Sequence, residues 1–271
     1  VDFIKEHTDI KMIYYGHDLH FMREFREYEL TGDVKKRQES EYWKSIEFSL
    51  FHKVAVSYYP SYVEEEAIHA VDETIPVKAI TAYVYEEFLQ NLNKDFAKRE
   101  GLLFVGGFAH PPNADAVLWF AKEVFPKIRE QIKVNFYIVG SKVTDEIKAL
   151  EQPGNGIIVK GFVSEEELAD LYRNCRIVVV PLRYGAGVKG KVVEAIYNGA
   201  PIVTTSVGSE GIPDVEKVLL VKDQPDEFAE TVVELYKDEK RLEDLAEKTQ
   251  VYIREHFSID AAWDVIKEDF E

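Results

Sequence analysis

Cysteine occurs once in the chain, at Cys175, so no intrachain disulfide can form. A lone thiol suits a reducing compartment, and its place at the head of an apolar strand reads as packing rather than nucleophilic chemistry. Tryptophan is nearly as scarce: Trp43, Trp119 and Trp263 sit in apolar helical patterns, which predicts core packing for each. Basic residues are outnumbered, 33 Lys and Arg against 50 Asp and Glu, giving a formal net charge of −17. Nucleic-acid binding needs clustered Lys and Arg, so no nucleic-acid partner is expected, and docking on an anionic membrane face is disfavoured. No run approaches about 18 consecutive apolar residues, so no transmembrane segment is expected. Val1-Asp-Phe lacks the basic and apolar regions of a signal peptide. A cytoplasmic location is the expectation. There is no D-x-D triplet and no His/Cys cluster at zinc spacing, so neither a metal nor another cofactor is expected.

What the chain has is alternation. Residues 10–16, IKMIYYG, read as a buried strand with His17-Asp18-Leu19-His20 at its C-terminal end, the edge where ligands sit in open parallel sheets. A polar helix over 21–30, a turn at 31–33 and a longer helix to about Phe51 follow. KVAVSYY over 53–59 is the next strand, with Ser61 as N-cap of YVEEEAIHAV. Glu64, Glu65 and Glu66 fall in its first turn and read as a solvated helix start. A third short strand covers 76–80, and 81–100 reads as an interdomain connection with some helix. Three parallel strands make a poor sheet alone. The first ~85 residues thus look like the later half of an α/β domain, and the Val1 start suggests a piece of a longer protein.

From Leu102 the β/α alternation is regular. LLFVGG is a strand, and a helix runs from about Ala114 to Glu130 with Pro126 interrupting it. VNFYIVG and GIIVKG are strands separated by a short helix, and Ser164 with Glu167 is a capping box. The alternation continues to KVLLV at 217–221 and ends in three helices. Six strands alternating with helices predict a complete doubly wound parallel sheet of Rossmann type.

The centre of that domain is CRIVVVPLRYGAGVKGKVVEAIYNGAPIVTTSVGSEGI, residues 175–212. A β-branched strand stops at Pro181, and Gly185 and Gly187 supply a loop whose backbone can approach another object. From about Val188 the pattern turns helical. Gly199 then sits where a C-cap belongs, and Gly208 and Gly211 open a second flexible loop. Strand, glycine loop and helix aim free N–H groups and the positive helix end at an anion. Lys189 and Lys191 at that helix start, with Glu194 one turn on, suggest a nucleotide diphosphate with its ribose. A structural loop with surface lysines is the plain alternative.

Over about 102–256 these motifs resemble the C-terminal nucleotide-binding domain of GT-B glycosyltransferases of family 4. The resemblance rests on LLFVGGFAHPPNADAVLWF, VNFYIVG, IIVKGFVSEEELADLY and PLRYGAGVKGKVVEAIYNGAPIVTTSVGSEGI, whose order and glycine positions agree. It implies three parts. These are a partial acceptor-side α/β domain over 1–85, a nucleotide-sugar-binding domain over 86–256, and a last helix over 257–271 crossing back onto the first. It further implies a retaining transfer of sugar from a UDP- or GDP-type nucleotide sugar to an acceptor hydroxyl, in polysaccharide or glycoconjugate synthesis. Its partners would be the donor, a glycan or other hydroxyl acceptor, and other domains of a longer parent chain. A nucleotide-sugar epimerase of the same fold, or a binding module without turnover, are the rival readings.

By the resemblance, Glu194 takes the ribose hydroxyls, against the alternative of an ion pair with Lys191. Lys189 and Lys191, with the backbone at Gly187 and Val188, hold the diphosphate. Gly106, Gly107, Arg183 and Gly185 belong to the same donor site, and the loop carrying Ser209 and Glu210 approaches the donor sugar or diphosphate. His17, beside Asp18, faces sugar and acceptor and orients the donor or moves a proton; His20 is the competing candidate. Two departures stand out: Ala186 occupies the place of the family's first motif glutamate, and Gly107 and Pro112 replace a basic pair. Arg183, Lys189 and Lys191 are placed to supply that missing charge.

Overall fold

The computed structural model describes every residue but Ala186 and Glu271, and only the backbone of Leu30. The first part carries α1 (Asp2–His7), β1 (Ile13–Tyr15), α2 (His20–Thr31), α3 (Val34–Phe51), β2 (Val56–Tyr59), α4 (Tyr62–His69) and β3 (Val77–Ala79). Its three strands pair in parallel in the order β1-β2-β3. Gly32 ends α2 in the left-handed region and Asp33 caps α3 through the Lys35 N–H, so the turn read from Thr31-Gly32-Asp33 joins two helices directly. Phe51, Tyr59, Ile68 and Leu19 close a small separate core over this sheet.

The second part holds β4 (Leu102–Val105), α5 (Pro111–Trp119), α6 (Phe125–Arg129), β5 (Phe136–Val139), α7 (Asp145–Lys148), β6 (Ile157–Gly161) and α8 (Glu165–Asn174). It continues with β7 (Ile177–Val180), α9 (Gly190–Tyr197), β8 (Ile202–Thr204), α10 (Ser206–Ser209), β9 (Leu219–Val221), α11 (Pro225–Lys237) and α12 (Glu239–Phe257). All six strands are parallel, in the order β6-β5-β4-β7-β8-β9. Chain order therefore runs outward from β4 in one direction and then from β7 in the other. That reversal opens a crevice past the C-terminal ends of β4 and β7. Every residue of β7 is buried, as a strand covered on both faces must be.

Several local expectations are corrected. Residues 81–100 form no helix: the segment lies extended against the second part, where Tyr85 N–H bonds Phe257 O at 2.8 Å. Its aromatic residues pack instead of turning helical, with Tyr85 stacked on Tyr197 at 4.2 Å. Buried Arg99 binds the carbonyls of Cys175 and Tyr172 at 2.7 and 3.0 Å and so fixes the segment's end. The helix expected from Ala114 starts at Pro111, whose missing N–H costs nothing in a first turn. A π turn over Phe120–Val124, ahead of Pro126, breaks it. Gly208 does not open a flexible loop, because Thr205 caps a one-turn helix through the Gly208 N–H at 3.2 Å. Glu64 is not solvated but fully buried. Trp263 is 52% exposed rather than packed, whereas Trp43 stacks on His20 and Trp119 meets Phe228 edge-on. The Ser164 hydroxyl caps α8, but the reciprocal arm of the capping box is replaced by a Glu167–Lys160 pair at 3.7 Å.

The last helix, α13 (Ile259–Phe270), returns to the first sheet. Its Asp269 accepts from the Tyr58 hydroxyl at 2.5 Å and pairs with Lys78 at 2.6 Å. Among the described residues no helix is long and apolar enough to cross a membrane.

Candidate donor-binding cleft

The crevice between β4 and β7 is floored by glycine and rimmed by lysine. Past β4, Gly106 lies so close to Lys191 that a Cβ there would stand 3.0 Å from its Nζ, and the Gly107 carbonyl accepts from Asn113 Nδ2 at 2.8 Å. Past β7, Gly185 and Gly187 have φ of +136° and +72°, a backbone that side-chain-bearing residues rarely adopt. Among the described residues the N–H groups of Val188, Lys189 and Lys191 have no carbonyl partner, leaving them free at the positive end of α9. A cleft of about 210 Å³ opens here, lined by His110, Asn113, Tyr184, Val188, Lys189 and Lys191.

Both lysines are held. Lys191 donates to Asn113 Oδ1 and lies over the Phe104 ring, 5.0 Å from its centre. Burial, with Lys189 nearby, pushes its pKa down to about 8. Lys189 donates to Gly187 O at 2.5 Å and pairs with Glu210 at 3.5 Å. Burial lowers its pKa too, and the Glu210 carboxylate opposes that shift. Glu210 also pairs with Arg26 of α2 at 2.6 Å, so one carboxylate bridges a cation of the glycine loop and a cation of the other sheet's helix. His110, beside both lysines, is lowered in pKa by burial and then by their charge.

A larger cleft of about 630 Å³ adjoins the first through Tyr184 and Gly185 and is lined also by Arg26, Tyr62, Arg183 and Glu210. Arg183 lines its rim while its guanidinium is clamped on Asp115, with Nε at 2.9 Å from Oδ2. The Ser209 hydroxyl turns back to the carbonyls of Thr205 and Ser206 at 3.3 and 3.2 Å.

The structure thus gathers Gly106, Gly107, Gly185, Gly187, Val188, Lys189, Lys191 and Glu210 around one helix end. Ala186 lies outside the described residues. Glu194 sits one turn further along α9 and makes no ion pair with Lys191 among the described residues. Burial raises its pKa, and it faces the Tyr172 and Tyr85 phenols, whose own pKa values are raised by burial and by Glu194. His17 is exposed past β1, edge-on to Tyr15 at 5.5 Å, and lines neither cleft. Asp18 is tied to Arg23 at 2.6 Å. His20, the competing histidine, is stacked on Trp43 at 4.6 Å with Nδ1 3.1 Å from Glu47, which leaves His17 the freer ring.

Arg26, His110 and Asn113 were not singled out in the sequence. For Asn113 a signal existed, an amide two residues after a proline-initiated helix start at the mouth of a parallel sheet. Arg26, in a helix of the other sheet, carried none.

The family model described as glycosyl transferases group 1 matches residues 99–238. A relative from Klebsiella pneumoniae, an uncharacterized 44.6 kDa protein in the cps region, is 29% identical over 184 residues, which cover 65% of this chain and 45% of that protein. S. aureus TarM, solved as a mutant in complex with fondaparinux, α-GlcNAc-glycerol and UDP, superposes with a TM-score of 0.74 at 14% identity, covering 100% of this chain and 52% of that one. Anabaena HepE in complex with UDP-glucose superposes with a TM-score of 0.68 at 14% identity, covering 96% and 72%. The chain spans about half the length of the Klebsiella relative and of TarM. Its two parallel sheets have the GT-B arrangement, and with 99–238 matched the chain belongs to the family of glycosyl transferases group 1.

Proposed function

We propose that the chain binds a nucleoside-diphosphate sugar in the crevice at α9 and serves the retaining transfer of its sugar to an acceptor hydroxyl. The observation that carries this is the convergence of two half-buried lysines, and of N–H groups with no carbonyl partner among the described residues, on one helix end beside a glycine-lined opening. Charge develops on the departing diphosphate, and fixed donors in a partly dry site stabilise it. Lys189, Lys191 and the start of α9 supply that positive field without a metal. The bond from the anomeric carbon to the diphosphate oxygen breaks as the bond to the acceptor oxygen forms on the same face. The acceptor proton passes to the leaving phosphate. Glu194 takes the ribose hydroxyls, and His17, which lies past β1 of the other sheet and outside both clefts, is assigned to the acceptor side with Asp18 beside it.

The test is thermal stability with nucleotides. UDP is bound in the TarM structure and UDP-glucose in that of HepE, so uridine nucleotides come first, guanosine nucleotides second. Ligand at about 100 times Kd stabilises by roughly 2.7 kcal/mol, a readily measured shift. Glu194→Ala is expected to remove the shift while leaving the unliganded Tm nearly unchanged. No shift with any nucleoside diphosphate refutes the proposal, and loss of transfer in EDTA, restored by magnesium or manganese, refutes its metal-free part.

A further inference from the structure

One carboxyl group between the two sheets is only half accounted for. Glu64, in the first turn of α4, is fully buried. Its Oε2 accepts the Ser61 hydroxyl, and Ser61 caps the helix by accepting from Val63 N–H at 3.2 Å. The S-x-x-E spacing explains that oxygen. Oε1 has no hydrogen-bond partner among the described residues. It faces the glycine loop, since a Cβ built on Gly187 would lie 3.9 Å from it. Burial raises the Glu64 pKa and the neighbouring Glu210 carboxylate adds to this, while Arg26 opposes it. A buried carboxyl oxygen left unbonded is disfavoured, and such an atom is retained where another group completes it.

We infer that Glu64 is a donor-sugar contact, its free Oε1 accepting a hydroxyl of the hexose whose diphosphate rests on Lys189 and Lys191. The inference rests on the proposed function. A diphosphate at the start of α9 places its attached sugar next to Gly187, and a hexose offers hydroxyl donors to a group that can only accept when ionised. The two sheets meet closely at this point: a Cβ on Gly211 would lie 2.7 Å from Ser61 Oγ. Glu64 lines neither cleft, so a small parting of Ser61 from Gly211 is what would admit a sugar hydroxyl to Oε1.

The test compares UDP with UDP-glucose, UDP-galactose and UDP-N-acetylglucosamine by calorimetry on wild type, Glu64→Gln and Glu64→Asp. Glu64→Gln is expected to bind UDP within twofold of wild type, which also reports an intact fold. It should bind the preferred UDP-sugar at least tenfold more weakly, with Glu64→Asp recovering part of the loss. Equal weakening of UDP and UDP-sugar, or no change in either, overturns the inference and leaves the proposed function standing. Wild-type protein that binds UDP but gains nothing from any of the sugars also overturns it. Wild-type protein that binds neither these uridine nucleotides nor GDP and its sugars overturns the proposed function itself.

Discussion

At the scale of single residues, Lys191 carries the sharpest consequence. Its pKa of about 8 means that roughly half its charge is gone at that pH. A bound diphosphate favours the ammonium form, so binding takes up a proton and affinity falls as pH rises through this value. UDP should bind roughly tenfold more weakly at pH 9 than at pH 7. Lys191→Arg, which stays charged, should flatten the slope; an unchanged slope in that variant would assign the titration elsewhere. Cys175 gives a second test, because burial pushes its thiol up to about 11 and it is 3% exposed. A thiol reagent should label it only in step with urea unfolding, and labelling of the native protein within minutes would contradict the packed reading. Both residues were legible because strand and helix periodicity placed them. Glu64 was not: a glutamate in a first turn ordinarily faces water, and its burial here comes from tertiary packing beside the glycine loop of another element.

At the scale of elements, the glycine loop past β7 and the turn at α10 act through Glu210. This carboxylate pairs with Lys189 and is itself held by Arg26. A diphosphate must displace it from Lys189, so removing its charge should help the ligand. Glu210→Gln is expected to tighten UDP several-fold at low ionic strength, about 1 kcal/mol, with the gain shrinking in high salt. Weaker binding in that variant would instead make Glu210 a direct ligand contact. The sequence foretold the loop's nearness to the site but not its partner, since Arg26 lies in a helix more than 150 residues earlier in the chain. Elements with their own signals were readable: Ser61 and Ser164 each cap the helix they precede. The run 81–100 was not, because its extended form is imposed by Arg99 and Tyr85 finding partners on the second part.

For the whole molecule, the order of strands was legible and the joint between the sheets was not. Regular β/α alternation leaves few topologies for the second part, and the reversal between β4 and β7 fixes where its crevice lies. The first sheet, with three short strands, buries little and leans on other parts of the chain. Its ties are the Arg26–Glu210 pair, the close approach of Ser61 to Gly211, and Asp269 of α13 bonded to Tyr58 and Lys78. The Asp269 side chain is 17% exposed, so its bonds are only partly screened by water. Asp269→Ala should therefore cost about 1–2 kcal/mol, and the cost should fall on the first sheet rather than on the molecule evenly. Limited proteolysis reads that unevenness: cleavage within α2 and α3 should quicken severalfold while α9 stays protected. UDP affinity, built from residues of the second sheet, should remain within twofold of wild type. If it falls in parallel with the proteolytic protection, the phosphate site depends on the first sheet being seated, and the two halves act as one cooperative unit.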